Sequence, residues 1–477
     1  MTFYTHRGDV LDTDDFTPHP LISCSFTKKL GEGTFAGTMQ LQLLRGSGAP
    51  DWGSWLRDDD WWVLEALEGT RRDLVSFGFV AAVAPAVAIQ NGAMVPSWSV
   101  SGPDFARVLD DTVVWFCEWG NHGNMIGEAV LGLVDFEAGG PPHELCRRIL
   151  EGFLGAQSTG AGQPGAWMAP PAFPAPPYAV TARPGMKDLL DLATYVEKVR
   201  GFTPIMNEVL GSEFRVSDLL REWSHGLLNE CFCDLRAVRP GVTRPAFVLR
   251  EKPFPTEQDG PTGGWNNLPR VRLNRTQITG MQALSRGGDR RTNVFAVQSA
   301  IDVVAPLSQT ITYAPLFDTA SIAIHGLRKL ELTTRFSSRL EGNELLRWRY
   351  LLSCWWLPLP ELYTGSLGFT GFEPRVRIGR ILEVTDETLG VADPAQLVAY
   401  LTGVTVQWAV QVGWSTTMQV ERGVFGGDVV HRKILADSML GVLSLADDVG
   451  PPLLARTPSL SPAGEPMTCY DMPATGL

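Results

Sequence analysis

The sequence is poor in the features that announce an enzyme. It has no GxxxxGK[ST] loop and no GxGxxG between a strand and a helix, so the usual Gly-rich phosphate cradles are missing. HExxH and GxSxG are absent as well. The 7 histidines, His6, His19, His122, His143, His225, His325 and His431, are scattered, and none stands at metal-ligand spacing from another. The 7 cysteines, Cys24, Cys117, Cys146, Cys231, Cys233, Cys354 and Cys469, form an odd set without a disulfide framework, so reduced buried thiols are expected. Cys231-Phe-Cys233 puts two thiols on one face of a strand, too close together for an ordinary zinc ribbon. No apolar run is long enough to span a bilayer, and the opening MTFYTHRGDV lacks an apolar signal core. Synthesis and folding in the cytoplasm, without membrane insertion, are the expectation.

Positive charge is also short. A net charge of -12 argues against a surface that grips phosphate backbones, though it allows a channel through which nucleic acid slides. The local basic spots at Arg270, Arg272 and Arg275, and at Arg286, Arg290 and Arg291, read as solvated faces.

The remaining chemical candidates are weak. Asp14-Asp15, Asp58-Asp59-Asp60 and Asp110-Asp111 are adjacent carboxylates, which cannot converge on one bond as a glycosidase pair does. Ser25-Phe-Thr-Lys28 matches SxxK, but LISCSFTKKLGEG reads as a strand, where positions three apart face opposite sides. CEWGNHGNM carries Trp119, Asn121, His122 and Asn124 in a Gly-rich stretch that reads as a turn before it reads as a binding loop. No catalytic, cofactor-binding or metal-binding residue is assigned from the sequence, and no cofactor is implied.

What is abundant is strand pattern. At 477 residues and 44% hydrophobic, with Gly 49 and Pro 34, the chain is long enough for several domains rich in strands and turns. GTFAGTMQLQLL alternates Phe35, Met39, Leu41 and Leu43 against Thr34, Thr38, Gln40 and Gln42. WWVLEALEG follows as a strand with Trp61, Val63 and Leu67 on one side. RRDLVSFGFVAAVAPAV predicts one long strand, IQNG a tight hairpin turn, and VPSWSVSG the returning strand. SGPDFARVLDD predicts a short helix capped by Ser101.

Between about 137 and 235 the pattern turns helical. PHELCRRILEGFLG and MKDLLDLATYVEKVRG predict helices, the second with Leu189, Leu192, Tyr195 and Val196 on one stripe and Gly201 as its stop. GAGQPGAWMAPPAFPAPPY is a Pro-extended loop, and VSDLLREWSHGLLNECFCDLR is a helix capped by Ser217 that runs into a strand. PAFVLREKPF, VRLNRTQITGM and NVFAVQSAIDVV open a second β-rich region. GNELLRWRYLLSCWWL interrupts it as a helix with Asn343 as cap. RVRIGRILEV resumes it, and TVQWAVQVGWSTTMQVERG predicts a second long strand facing Val404, Val406, Trp408, Val410, Val412 and Trp414 one way. The Pro- and Ser-rich tail after about 445 reads as an extended arm.

In this order the segments resemble the baseplate or tail hub proteins of long-tailed phages, the family that includes the hub half of VgrG in type VI secretion. The likeness is carried by RRDLVSFGFVAAV with NG and WSVSGPDFARVLDDT, and by FRVSDLLREWSHGLLNECFCDL with PAFVLREKPF, ending on Arg250-Glu251. VRLNRTQITGMQALSRGGDRRTNVFAVQ resembles the start of a second barrel and EPRVRIGRIL the strand that resumes it.

The resemblance implies a β-rich α+β fold of two similar antiparallel, tail-tube-like β-barrels with an α+β domain between them. The expected segments are an N-terminal arm (1–20), a first barrel (21–115) and a peripheral domain (116–265) with a Pro/Gly-rich loop (156–185). A second barrel (266–310 and 366–445), a helical insert packing with the peripheral domain (311–365) and a C-terminal arm (446–477) complete the plan. It further implies a homotrimer whose six barrels make a ring joining a sixfold tail tube to a threefold spike. Tail tube, central spike, tape-measure and baseplate wedge proteins are the implied partners, with DNA only in transit and the virion tail as location. A net-acidic channel wall is the expectation from composition. Two alternatives stand beside this: a tail-borne cell-wall hydrolase built on the acidic clusters or Ser25, and a receptor- or glycan-binding protein stacking ligands on Trp119 or Trp61-Trp62.

Overall fold

The computed structural model describes most of residues 1–114, then 193–196, 214–239, 242–253, 268–287, 291–299, 316–334, most of 348–385 and most of 397–425, with isolated residues at 143, 146 and 150. In chain order the first region contains β1 (Thr2–Tyr4), β2 (Val10–Asp12), β3 (Leu21–Lys29), β4 (Thr38–Leu44), α1 (Trp52–Trp55) and β5 (Trp61–Glu68). It continues with β6 (Arg71–Phe79), β7 (Ala82–Gln90), β8 (Ala93–Pro103), α2 (Arg107–Asp111) and β9 (Val113–Val114). Next come β10 (Ala193–Val196), β11 (Phe214–Arg215), α3 (Val216–Ser224), β12 (Asn229–Arg239), β13 (Val242–Glu251) and β14 (Arg270–Asn274). These are followed by β15 (Ile278–Thr279), β16 (Ser285–Arg286), β17 (Val294–Ser299), β18 (Leu316–Phe317), α4 (Thr319–His325) and β19 (Lys329–Thr334). The last are β20 (Tyr363–Thr370), β21 (Ile381–Thr385), β22 (Leu397–Ala409) and β23 (Gly413–Phe425). The fold is β-rich α+β with large antiparallel sheets.

Both expected long strands break in two, each for a local reason. At 80–81 the chain changes sheets: the Val80 N–H donates to the Asp60 carbonyl at 2.7 Å, while the Ala81 N–H donates to the Ser101 carbonyl at 2.9 Å. Two glycines allow the close crossing. A Cβ on Gly102 would lie 1.8 Å from the Phe79 carbonyl oxygen, and one on Gly78 would lie 2.1 Å from that of Pro103. The second stretch is a hairpin. The Val412 N–H closes a turn onto the Ala409 carbonyl at 3.1 Å, and Gly413 takes φ 78, the left-handed residue that ends a three-residue hairpin loop. The IQNG hairpin forms as read, with Gln90 beside Ala93 and Gly92 at φ 76.

β3, β4, β7 and β8 join β15, β20, β22 and β23 in one sheet of order β15-β20-β23-β22-β3-β4-β8-β7, with β14, β16 and β21 attached to its second half. Among the described residues no strand pairing closes this sheet into a barrel; β7 and β15 end its ladder, and its two halves share that ladder where β22 meets β3. Against its first half packs a sheet of order β2-β1-β5-β6. The core between them gathers Phe3, Trp62, Leu64 and Val75 with Cys24, Phe26, Met39, Leu41 and Val100. Residues 1–20, expected as an arm, therefore include two ladder strands, and Phe3 is wholly buried.

Other expectations shift as well. Ser101 lies in β8 rather than at a helix cap, and α3 begins at Val216 with Arg215 as its cap residue, so Ser217 is inside the helix. Residues 193–196, expected helical, form β10 parallel to β13. β17, expected in the second barrel, instead pairs with β18 and with β19, which lies inside the expected helical insert. That insert is helical at 348–349, 351–353 and 355–356, where Trp348, Leu351, Leu352 and Trp355 bury against Leu228, Phe295 and Leu332. Asn343, the extended loop at 156–185, most of PHELCRRILEGFLG and the tail after 445 lie outside the described residues.

Candidate conduit face and subunit edges

One face of the shared sheet is lined by hydroxyl, amide and small side chains. Strand alternation sends Cys24, Phe26, Met39, Leu41, Val100, Val404, Val406 and Met418 into the core, so their neighbours point outward. The ladder registers align those neighbours in rungs. One rung runs Ala82, Ser101, Gln40, Ser25, Gln407, Ser415, Thr370. The next runs Pro103, Thr38, Thr27, Thr405, Thr417, Gly368, Thr279. On the other side of the first lies Ala84, Ser99, Gln42, Ser23, Ala409, Gly413.

None of these residues is charged. Lys29, beside Gly403 and followed by Gln419 and Ser366, enters at the bottom of the face. In a chain that is 19% charged, a solvated sheet face of this extent would carry several ionised side chains. No acidic side chain stands in these three rungs. Neighbouring rungs bond laterally, as in Thr27 with Thr405 at 3.1 Å and Ser23 with Gln42 at 3.4 Å.

The two halves of the sheet repeat one order. Reading in the same direction, β15/β16, β20, β23, β22 is followed by β3, β4, β8, β7. In each half a hairpin's first strand, β22 or β7, lies on the same side. Its second strand, β23 or β8, pairs with β20 or β4, and that strand pairs in turn with β15/β16 or β3. The halves meet where β22 pairs with β3, from Gly403 beside Lys29 to Ala409 beside Ser23.

Buried polar groups tie this sheet to its neighbours. The Arg250 guanidinium donates to Glu230 Oε2 at 2.9 and 3.0 Å, to the Gly379 carbonyl at 2.8 Å and to the Tyr400 hydroxyl at 3.1 Å. Tyr400 donates to the Glu230 carboxylate at 2.6 Å. Burial, and then the Glu230 charge, hold the Tyr400 phenol well above its ordinary range. Arg250 thus pairs with Glu230 on the adjacent strand; Glu251 is not its partner in this cluster. Arg377 reaches the Val75 carbonyl at 2.8 Å and the Leu74 carbonyl at 2.9 Å, joining the loop before β21 to β6. Lys28 and Asp104 form a buried pair, with the Lys28 ammonium 5.2 Å from the Phe105 ring centre. No short-range pattern marks Arg377 or Tyr400 as clamps; the strands they reach, at Leu74 and Val75 and at Glu230 and Arg250, lie more than a hundred residues away in sequence.

The chemical candidates do not come together. Ser25 lies on the hydroxyl face, while Lys28 is buried on the opposite side against Asp104. Asp59 pairs with Arg107 at 3.1 Å, Asp111 pairs with Arg107 at 2.6 Å, and Asp60 accepts the Arg57 N–H at 2.8 Å. Asp14 faces His19 at 3.2 Å, and Asp110 faces Arg221 at 3.2 Å. Trp61 and Trp62 are buried and offer no stacking platform; Trp119, Asn121, His122 and Asn124 lie outside the described residues. Burial raises the Cys24 and Cys146 thiols to about 12 and pushes Cys231 and Cys233 above the ordinary thiol range. Among the described residues no group of His, Cys, Asp and Glu could hold a metal ion.

No family model and no curated protein matches the chain. Solved structures similar to it include a tail protein from Neisseria meningitidis MC58, at 11% identity and TM-score 0.42, covering 88% of this chain and 95% of that one. Another is the 43 kDa tail protein of prophage MuSo2 from Shewanella oneidensis, at 11% identity and TM-score 0.43, covering 88% and 97%. A third is the E. coli c3393 protein, a type VI secretion component described as similar to the T4 bacteriophage tail proteins gp27 and gp5, at 9% identity and TM-score 0.34, covering 84% and 73%. Likenesses at this level of identity and superposition assign no activity or partner to the chain.

Proposed function

We propose that the chain is a structural hub of a phage tail or phage-like injection machine, acting as a homotrimer rather than as an enzyme. The observation that carries the reading is the repeated half-sheet. Two halves of the same strand order lie edge to edge in one ladder, under a face whose three central rungs carry no charged side chain. A repeat with unlike edges adds head to tail, and a head-to-tail arrangement closes into a ring when the rotation per step divides a full turn. Three copies would supply six half-sheets, matching a sixfold tail tube on one side and a threefold spike on the other.

The uncharged face then lines the conduit. Hydroxyl and amide groups stay hydrated and present neither cations to hold a phosphate backbone nor anions to repel it. DNA passes without binding. The tail tube, central spike, tape-measure and baseplate wedge proteins are the partners this arrangement calls for, and the virion tail is its place. Light scattering of the purified chain, alone and with tube and spike proteins, tests the reading. The expected mass is that of three chains, and a chain that stays single in every mixture overturns it. Turnover of bacterial cell wall that is lost on Ser25→Ala would favour the hydrolase instead.

A further inference from the structure

We propose that the outer edge of β7 in one copy is continued by segment 278–286 of a second copy, through the same antiparallel pairing that joins β22 to β3 within the chain. This rests on the ring reading and adds the residues that meet. In the repeated order β7 occupies the position of β22, and β15 with β16 occupies that of β3. The directions agree. Ile278 lies beside Phe369 and Arg286 beside Tyr363, just as Leu21 lies beside Leu43 and Thr27 beside Thr38. Segment 278–286 therefore runs antiparallel to β7 when one half-sheet follows another. Among the described residues, β7 and β15 are the two ends of the ladder.

The edge of β7 also lacks the usual protection. Its sequence AVAPAVAIQ has no charge to discourage pairing, and Pro85 is its one interruption. Beyond Pro96, whose carbonyl accepts the Arg45 N–H, the β7–β8 hairpin stands clear of β4 for about 13 Å, four residues at roughly 3.3 Å each. There Val87, Ile89 and Met94 are 62%, 74% and 83% exposed. Ala88 on β7 is buried, so the chain itself covers part of the ribbon, while these three side chains stay open to a partner.

The matching hairpin of the second half is met by its own chain at its base, though Val410 and Val412 at its tip are 51% and 77% exposed. The Val410 N–H donates to the Ile22 carbonyl at 3.2 Å and the His19 ring lies 6.3 Å from the Trp408 ring, both from the segment leading into β3. By the same relation, residues 275–277, which lead into β15, come to lie over the β7–β8 ribbon of the neighbouring copy.

Cysteine pairs on the hydroxyl face test the seam. Ala84 and Ala86 share that face with Thr279, and opposed side chains on paired strands are close enough for a disulfide. Ala84→Cys/Thr279→Cys and Ala86→Cys/Thr279→Cys are oxidised mildly in the full-length protein, beside each single variant. Ser25→Cys/Gln407→Cys serves as a positive control that must cross-link within one chain. The expected result is a shift in mass from one chain to two and three on non-reducing gels, in a double variant and in neither of its singles. A trimer by light scattering without these cross-links, while the control cross-links, overturns the seam and leaves the hub reading standing. A single chain at every concentration overturns both. Cross-linking of β7 cysteines to an added tube protein, rather than to Thr279→Cys, would assign the edge to that partner and also overturn the seam.

Discussion

Tyr400→Phe removes one hydroxyl and leaves the volume of the ring unchanged. In the native cluster both Arg250 bonds to the carboxylate fall on Glu230 Oε2, and the Tyr400 hydroxyl lies 2.6 Å from both Oε1 and Oε2. Without it the Glu230 carboxylate loses a charge-assisted donor inside a buried site, and Arg250 loses an acceptor at 3.1 Å. A hydrogen bond to a charged group is worth about 1.5–3 kcal/mol net, and the two remaining Arg250 bonds place this loss near 2 kcal/mol. In a cooperative unit of 150–250 residues that lowers the melting temperature by roughly 4–8 °C.

The phenol gives a second readout. Its folded-state pKa is raised above the ordinary value of 10.0, so the unfolded chain releases this proton first as pH rises. The wild-type protein should lose part of its stability above about pH 10, and the variant should lack that component. Thermal unfolding across pH 8–11, with Glu230→Gln and the double variant completing a cycle, measures both effects. A melting temperature unchanged within error, or a double variant equal to the sum of the singles, would refute the coupling drawn between β12, β13 and β22.

Three further outcomes follow from other sites in the structure. Gly102→Ala places a methyl 1.8 Å from the Phe79 carbonyl oxygen with backbone on both sides, so a loss at or beyond the top of the usual ~1–3 kcal/mol overpacking range is expected by chemical denaturation. Gly226→Ala, with nothing within 4 Å, should stay within about 0.5 kcal/mol. Glu383 is partly desolvated, yet hydrogen bonds from Arg272 and Arg270 hold its carboxyl below the ordinary 4.5. Its contribution is whole above that value and is lost as pH falls through the lower folded-state value, so Glu383→Gln should flatten the acid limb of a stability–pH curve.

Local pattern alone determined most of the strands and one turn. Alternation placed Met39, Leu41 and Leu43 in the core and Gln40 and Gln42 on the open face, because a strand sends successive side chains to opposite sides and one face here is buried. Asn-Gly marked the β7–β8 turn because left-handed backbone is cheap there. The 405–423 hairpin was hidden, since its turn is built from valines and a single glycine and the alternation runs on through it. β20, with Gly365 and Gly368 among threonine, serine and leucine, carried too little apolar pattern to be read as a strand.

Tertiary structure alone decided which strands share a sheet. Nothing near residue 80 in sequence says that β6 and β7 part company there, because the change is made by bonds to Asp60 and Ser101. Nor does any local feature say that β22 pairs with β3 across nearly the whole chain, or that Glu230, Arg250 and Tyr400 meet. Side-chain alternation is a property of neighbours along the backbone. Ladder order and buried polar pairing are properties of neighbours in space, and only the folded chain fixes those.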